Sequence, residues 1–144
     1  MATINATIRI NSNIMSYPST INKTMTMKKA GSCHGLEETT GLRSKKFTAS
    51  TDAIIVEADE IADNAASKVY IRNTSSNKAL FFYVSYGDTA DATTTEPIGK
   101  LYGGDWMLFP YNGTTNISVA SSSDTQTQVL EYMVFADGIE AAKG

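Results

Sequence analysis

The feature that most narrows what this chain can fold into is an alternation of apolar and polar residues with a period of two. Thr3-Ile4-Asn5-Ala6-Thr7-Ile8-Arg9-Ile10 places each apolar side chain at an even position and each polar one at an odd position. Successive side chains of a β-strand point to opposite faces, so this segment reads as a strand with one buried face. Residues 20–29 alternate again, with Ile21, Met25 and Met27 on one side and Thr20, Asn22, Thr24 and Thr26 on the other. Shorter β-branched or aromatic runs follow at residues 53–56, 68–72, 98–101, 106–110 and 116–120. Residues 79–86 and 129–135 are apolar or aromatic on both sides, the pattern of central strands covered on both faces.

The punctuation between these runs is polar. Asn11-Ser12-Asn13, Asn73-Thr74-Ser75 and Ser121-Ser122-Ser123-Asp124 are turn residues, and Gly103-Gly104 marks a turn or bulge. Asn112-Gly113 is the strongest two-residue hairpin signal in the chain. Pro110 has no N–H to give a ladder, so it must end its strand or lie at a sheet edge. Residues 57–63 are acidic and long enough for one helical turn. About eight short strands at 8–14-residue spacing predict an all-β fold, an antiparallel β-sandwich of jelly-roll type. The expected organisation is an N-terminal strand plus a basic extended arm over 1–46, a sandwich body over 47–137 and a tail over 138–144. Within the first part, residues 36–47 read either as a long loop or as an arm carrying one weak strand.

Composition sets the outer bounds. At 144 residues the chain is one ordinary domain, with enough surface to bury a core without staples. Charged residues are 19%, below the usual quarter, and Thr, Ser and Asn take their place. No run of about 18 apolar residues spans a membrane, and the N-terminus has no basic start followed by an apolar stretch. The net charge of −3 conceals an asymmetry. Residues 1–46 carry seven basic residues against two acids, and the remainder carries five against thirteen. Such a split either spreads solvated charge or lays the basic segment against an acidic surface.

Little of the chain reads as catalytic. Cys33 and His34 are the single cysteine and histidine, and neighbours in an extended chain point apart, which is awkward for a nucleophile and its base. No nucleophile elbow, phosphate-binding loop or dinucleotide fingerprint is present. Acids cluster at Glu57, Asp59, Glu60 and Asp63, and at Asp88, Asp91 and Glu96, without the spacing of a twelve-residue calcium loop. They read as solvated turn residues, so no metal and no cofactor is expected. Asp105 beside Trp106 is a faint hint of glycoside chemistry, but spacing says nothing about facing geometry. The aromatic residues within strand patterns, Phe81, Phe82, Tyr83, Tyr86, Trp106, Phe109, Tyr132 and Phe135, fall in the acidic half of the chain, opposite to what a stacking platform for nucleic acid requires. Two strands apolar on both faces point instead to packing, some of it against another subunit. Met25 and Met27 adapt to irregular surfaces and stand in the basic segment, which suits docking onto a neighbour.

One resemblance follows from three runs. Lys68-Val69-Tyr70-Ile71-Arg72-Asn73-Thr74-Ser75, the stretch from Ile98 through Gly103-Gly104-Asp105-Trp106 to Phe109-Pro110, and Leu130-Glu131-Tyr132-Met133-Val134-Phe135 together resemble small virion structural proteins of tailed bacteriophages. The resemblance covers roughly residues 67–136 and rests on strand-ending turns and aromatic strand termini. It implies a capsid decoration (cement) protein, or else a tail or neck component, without catalytic site or cofactor. The implied partners are the major capsid protein or another virion protein, and further copies of the chain in an oligomer or lattice. It places the protein on the capsid surface, with no membrane and no direct nucleic-acid contact. The expected attachment residues are Met25, Met27, Lys28, Lys29, Arg43, Lys45 and Lys46, meeting acidic capsid patches. The alternative is a carbohydrate-binding, receptor-recognition module with Tyr102 and Trp106 as its platform.

Overall fold

The computed structural model describes residues 4–13, 19–27, 38–61, 67–90 and 97–136. Among them are the strands β1 (Asn5–Ser12), β2 (Ser19–Thr26), β3 (Glu38–Thr39), β4 (Arg43–Phe47), β5 (Asp52–Val56), β6 (Ser67–Asn73), β7 (Phe81–Tyr86), β8 (Gly99–Tyr102), β9 (Trp106–Tyr111), β10 (Ile117–Ser121) and β11 (Gln128–Ala136). The acidic segment after β5 makes a single 3-10 turn, Ala58–Glu60. β1 and β2 form a hairpin of their own, and the other strands form two antiparallel sheets, β5-β10-β7-β8 and β3/β4-β11-β6-β9. The alternation thus resolves into an all-β sandwich.

The pairing is nested. β7 pairs with β8, β6 with β9, β5 with β10 and β4 with β11, so the chain is one long antiparallel ribbon with its tip between β7 and β8. Alternate rungs fall in alternate sheets, and the extra pairings β7–β10 and β6–β11 close each sheet. This winding explains where the most apolar strands go. β7, β10, β6 and β11 occupy the central positions, and the charged or proline-bearing strands β4, β5, β8 and β9 occupy the edges.

Strict alternation in β11 buries Gln128, Leu130, Tyr132, Val134 and Ala136 and leaves the residues between them half-covered. β6 repeats the pattern with Ser67, Val69, Ile71 and Asn73. Facing them from the other sheet are Phe82, Val84, Leu101, Ile117 and Val119. Each such apolar side chain, fully removed from water, stabilises the fold by about 1.5–3 kcal/mol. One end of this core is polar. The Asn73 amide donates to Leu101 O at 2.9 Å and its Oδ1 accepts from Ser75 N–H at 3.0 Å. Gln128 Nε2 donates to Ser121 Oγ at 2.7 Å. These bonds tie β6 and β11 of one sheet to β8 and β10 of the other.

Three placements differ from the sequence reading. Residues 38–47 belong to the sandwich, where β3 and β4 form one edge strand interrupted by a bulge. Between Thr39, opposite Phe135, and Arg43, opposite Tyr132, this strand takes four steps against three on β11. Gly41 accommodates the extra residue at φ +75°, and Thr40 Oγ1 accepts the Val134 N–H at 3.1 Å in place of a ladder carbonyl. Asn112-Gly113 is a turn, with Gly113 at φ +79°, but it joins β9 of one sheet to β10 of the other and forms no hairpin. The third concerns the chain after β7, where Gly87-Asp88 and the Thr/Ala/Asp string to Thr95 read as an exposed loop: on the outer face of the β5-β10-β7-β8 sheet Ser85, Ser118 and Ala120 are buried although they point away from the core. The chain leaving β7 crosses them. Gly87 N–H donates to Asn116 O, fully buried Ala90 donates its N–H to Asp52 on β5, and Ile98 N–H returns to Val84 O. Small side chains leave room for that crossing backbone.

Candidate interaction surfaces

The hairpin is amphipathic. In its register Ala6 faces Met25, Ile8 faces Lys23 and Ile10 faces Ile21, all on one side. On the other side Thr7 Oγ1 bonds Thr24 Oγ1 at 2.8 Å and Thr26 donates to Asn5 Oδ1 at 2.8 Å. Ile8, Ile10, Ile21 and Met25 are 41–45% exposed, so the apolar side is uncovered. A lone two-stranded ribbon is marginal in water, and burial against something else is what stabilises one.

A second surface is the outer face of the β3/β4-β11-β6-β9 sheet. Cross-strand rows place Glu131, Arg72 and Trp106 side by side, then Met133, Tyr70 and Leu108, then Phe135, Lys68 and Pro110. Val129 lies beyond, opposite Lys46. Trp106 is 51% exposed and the apolar neighbours are half-buried, with nothing among the described residues layered over them. At the centre of the face Tyr70 OH donates to Glu131 Oε1 at 2.8 Å. Burial first, and then that carboxylate, push the Tyr70 hydroxyl above its ordinary pKa.

The expected attachment residues do not form one patch. Met25 is exposed on the hairpin's apolar side, whereas Met27 is buried and its N–H donates to Ile4 O. Arg43 points to the core side of β4 and ion-pairs with Glu60 at 3.1 Å. Lys45 points the same way, its Nζ 5.7 Å from the Phe47 ring centroid, and Lys46 points to the outer face. Alternation along one strand sends Lys45 and Lys46 to opposite sides. Lys28 and Lys29 lie outside the described residues, as do Cys33, His34, Asp63, Asp91 and Glu96.

Tyr102 and Trp106 are likewise divided. Tyr102 is on the outer face of the β5-β10-β7-β8 sheet and Trp106 on the outer face of the opposite sheet, so they make no common platform. Tyr102 has other company that the sequence pattern did not single out. The Phe81 ring lies 5.1 Å from both Tyr83 and Tyr102, with Lys100 Nζ 4.7 Å from its centroid. Phe81, Tyr83 and Lys100 were legible only as strand residues, since their grouping depends on which strand pairs with which. An open groove of about 600 Å³ lies at one end of the sandwich beside Ser67, Lys68, Tyr86 and Asn112, and no carboxylate lines it. Among the described residues no group of three His, Cys, Asp or Glu is placed to hold a metal. No helix there is long and apolar enough to cross a membrane. Compared with known proteins, the chain matches no family model, no curated protein and no solved structure.

Proposed function

We propose that this chain is a non-enzymatic structural protein of a virion, a decoration protein bound to the capsid lattice of a tailed phage. The observation that carries the reading is an apolar surplus on the outside. A complete core coexists with an uncovered hairpin face and an aromatic outer sheet face bearing Trp106, Tyr70 and Met133. Trp, Tyr and Arg dominate protein–protein contacts, and exposed apolar patches of this kind mark such contacts. The nested β4–β11 pairing supports reading the sandwich as a jelly roll, an architecture that recurs in capsid and lectin domains. That likeness and the sequence resemblance support the reading by analogy, not by a site. On a shell, many weak contacts gain strength from repetition.

Attachment falls to the N-terminal hairpin, acting as an arm, and to Lys45 and Lys46 on the edge strand. The major capsid protein supplies the opposing acids. Removing residues 1–27 leaves every strand of the sandwich in place, so binding of that variant to empty capsid shells tests the arm. A loss of occupancy with an unchanged body is expected; undiminished occupancy sinks the arm. A glycan-binding role has its own support in the Phe81–Tyr83–Tyr102 cluster, and Tyr102→Ala on a glycan array addresses it, with Trp106→Ala as the comparison across the sandwich.

A further inference from the structure

We infer that the hairpin of one copy docks its apolar side on the outer β11-β6-β9 face of a second copy of this chain, reciprocally across a two-fold axis. This goes beyond capsid attachment, because it concerns contacts between copies in solution. The chain carries two unpartnered apolar surfaces of different character. One is aliphatic, with Ile8, Ile10, Ile21 and Met25; the other is aromatic and sulfur-rich, with Trp106, Tyr70, Phe135 and Met133. Within a single copy they do not cover each other, since the hairpin side chains remain exposed.

Area decides the stoichiometry. An eight-residue hairpin is about 26 Å long and about 10 Å wide, and the receiving sheet is about 19 Å across, so the ribbon fits on it as one β layer on another. One such contact hides only about 500 Å² in total, below the roughly 1,000 Å² expected of a specific interface. Two contacts related by a two-fold reach that threshold, because each copy donates one hairpin and receives another. Face-to-face packing of two hairpins alone does not. On the receiving face Glu131 is already engaged by Tyr70, with Arg72 beside it, so docking leaves that carboxylate paired, and Lys68 there and Lys23 on the hairpin reach water along their apolar stems.

The test is the mass of the full chain by sedimentation at tens of micromolar, with the single tryptophan, Trp106, as a reporter on the receiving face. A mass twice 15.5 kDa is expected, with Trp106 emission shifting to longer wavelength as dilution separates the copies. Ile10→Lys with Ile21→Lys on the hairpin, and Met133→Lys on the face, should each weaken association at least tenfold. Unchanged thermal unfolding of the body in the hairpin variant shows that it still folds. A monomeric full chain overturns the inference, and so does a dimer that Met133→Lys leaves intact. A monomer that nevertheless decorates empty shells overturns this inference while leaving the capsid reading standing.

Discussion

Two residues at the polar end of the sandwich show how closely the sheets are tied. Asn73 has every hydrogen-bonding group engaged across the fold. Besides its side-chain bonds, its N–H donates to Asp105 O and its carbonyl accepts from Gly104 N–H at 2.8 Å. Truncation to Ala strands the Leu101 carbonyl in a buried site and removes the acceptor of the half-buried Ser75 N–H, and a buried unsatisfied group costs about 1–3 kcal/mol. Asn73→Ala should therefore lower the urea midpoint by an amount equivalent to at least one such group, with an unchanged slope. Gly103 is constrained differently. A Cβ there meets Asn77 O at 2.5 Å and Ser75 O at 2.7 Å, both main-chain atoms that move only with their loop. Gly103→Ala should destabilise by about 1–3 kcal/mol in the same titration, as overpacking does. Gly104, at φ +92° with open space around its Cβ position, is constrained by backbone conformation alone.

At the scale of elements, legibility followed burial. β7 announced itself as a central strand covered on both sides, by the core and by the crossing chain, whereas β11, expected to be covered likewise, is central in its sheet but has one side buried and the other only half-covered. β9 was legible as an edge through Pro110, whose ring stands opposite Lys68 at the sheet border. Residues 38–47 were not legible. The bulge at Thr40-Gly41 breaks the period of two, and an edge strand carrying Arg43, Lys45 and Lys46 looks like a solvated arm until Glu60 and Phe47 are placed beside it. The grouping of Phe81, Tyr83 and Tyr102 was hidden for another reason: pairing between strands is not written in either strand. The chain crossing outside the β5-β10-β7-β8 sheet left a trace only in small residues. Ser118 lies beneath it, fully buried, its hydroxyl without a partner among the described residues. Ser118→Ala removes an unsatisfied polar group and should be neutral or stabilising by up to about 1 kcal/mol, whereas Ser118→Leu should destabilise by overpacking. Thermal unfolding of the two variants side by side checks this, and a destabilised Ser118→Ala would mean the hydroxyl has a partner after all.

For the molecule as a whole, the two sheets are held by apolar burial, and on the alkaline side the response to pH comes from tyrosines whose hydroxyls burial has raised, one in the core and others nearer the surface. Tyr132 is in the core beside the Arg43–Glu60 pair, and burial raises its hydroxyl above the ordinary value of 10.0 even though Arg43 pulls the other way. Tyr70 on the outer face is raised by burial and by Glu131. A raised value in the folded state means that the native chain holds these protons more tightly than the unfolded chain does. Below the unfolded value, near pH 10, both states keep the proton and stability is unaffected. As pH climbs past it, the unfolded chain ionises first and is favoured, so stability falls through the alkaline range until the native hydroxyls also ionise. Urea midpoints should therefore stay level from neutrality to about pH 9.5 and then decline. Tyr132→Phe keeps the ring that fills the core and removes the proton, so its decline should be shallower than that of the parent chain. An identical alkaline slope in Tyr132→Phe would place the sensitivity elsewhere, with Tyr70 on the exposed face as the next residue to substitute.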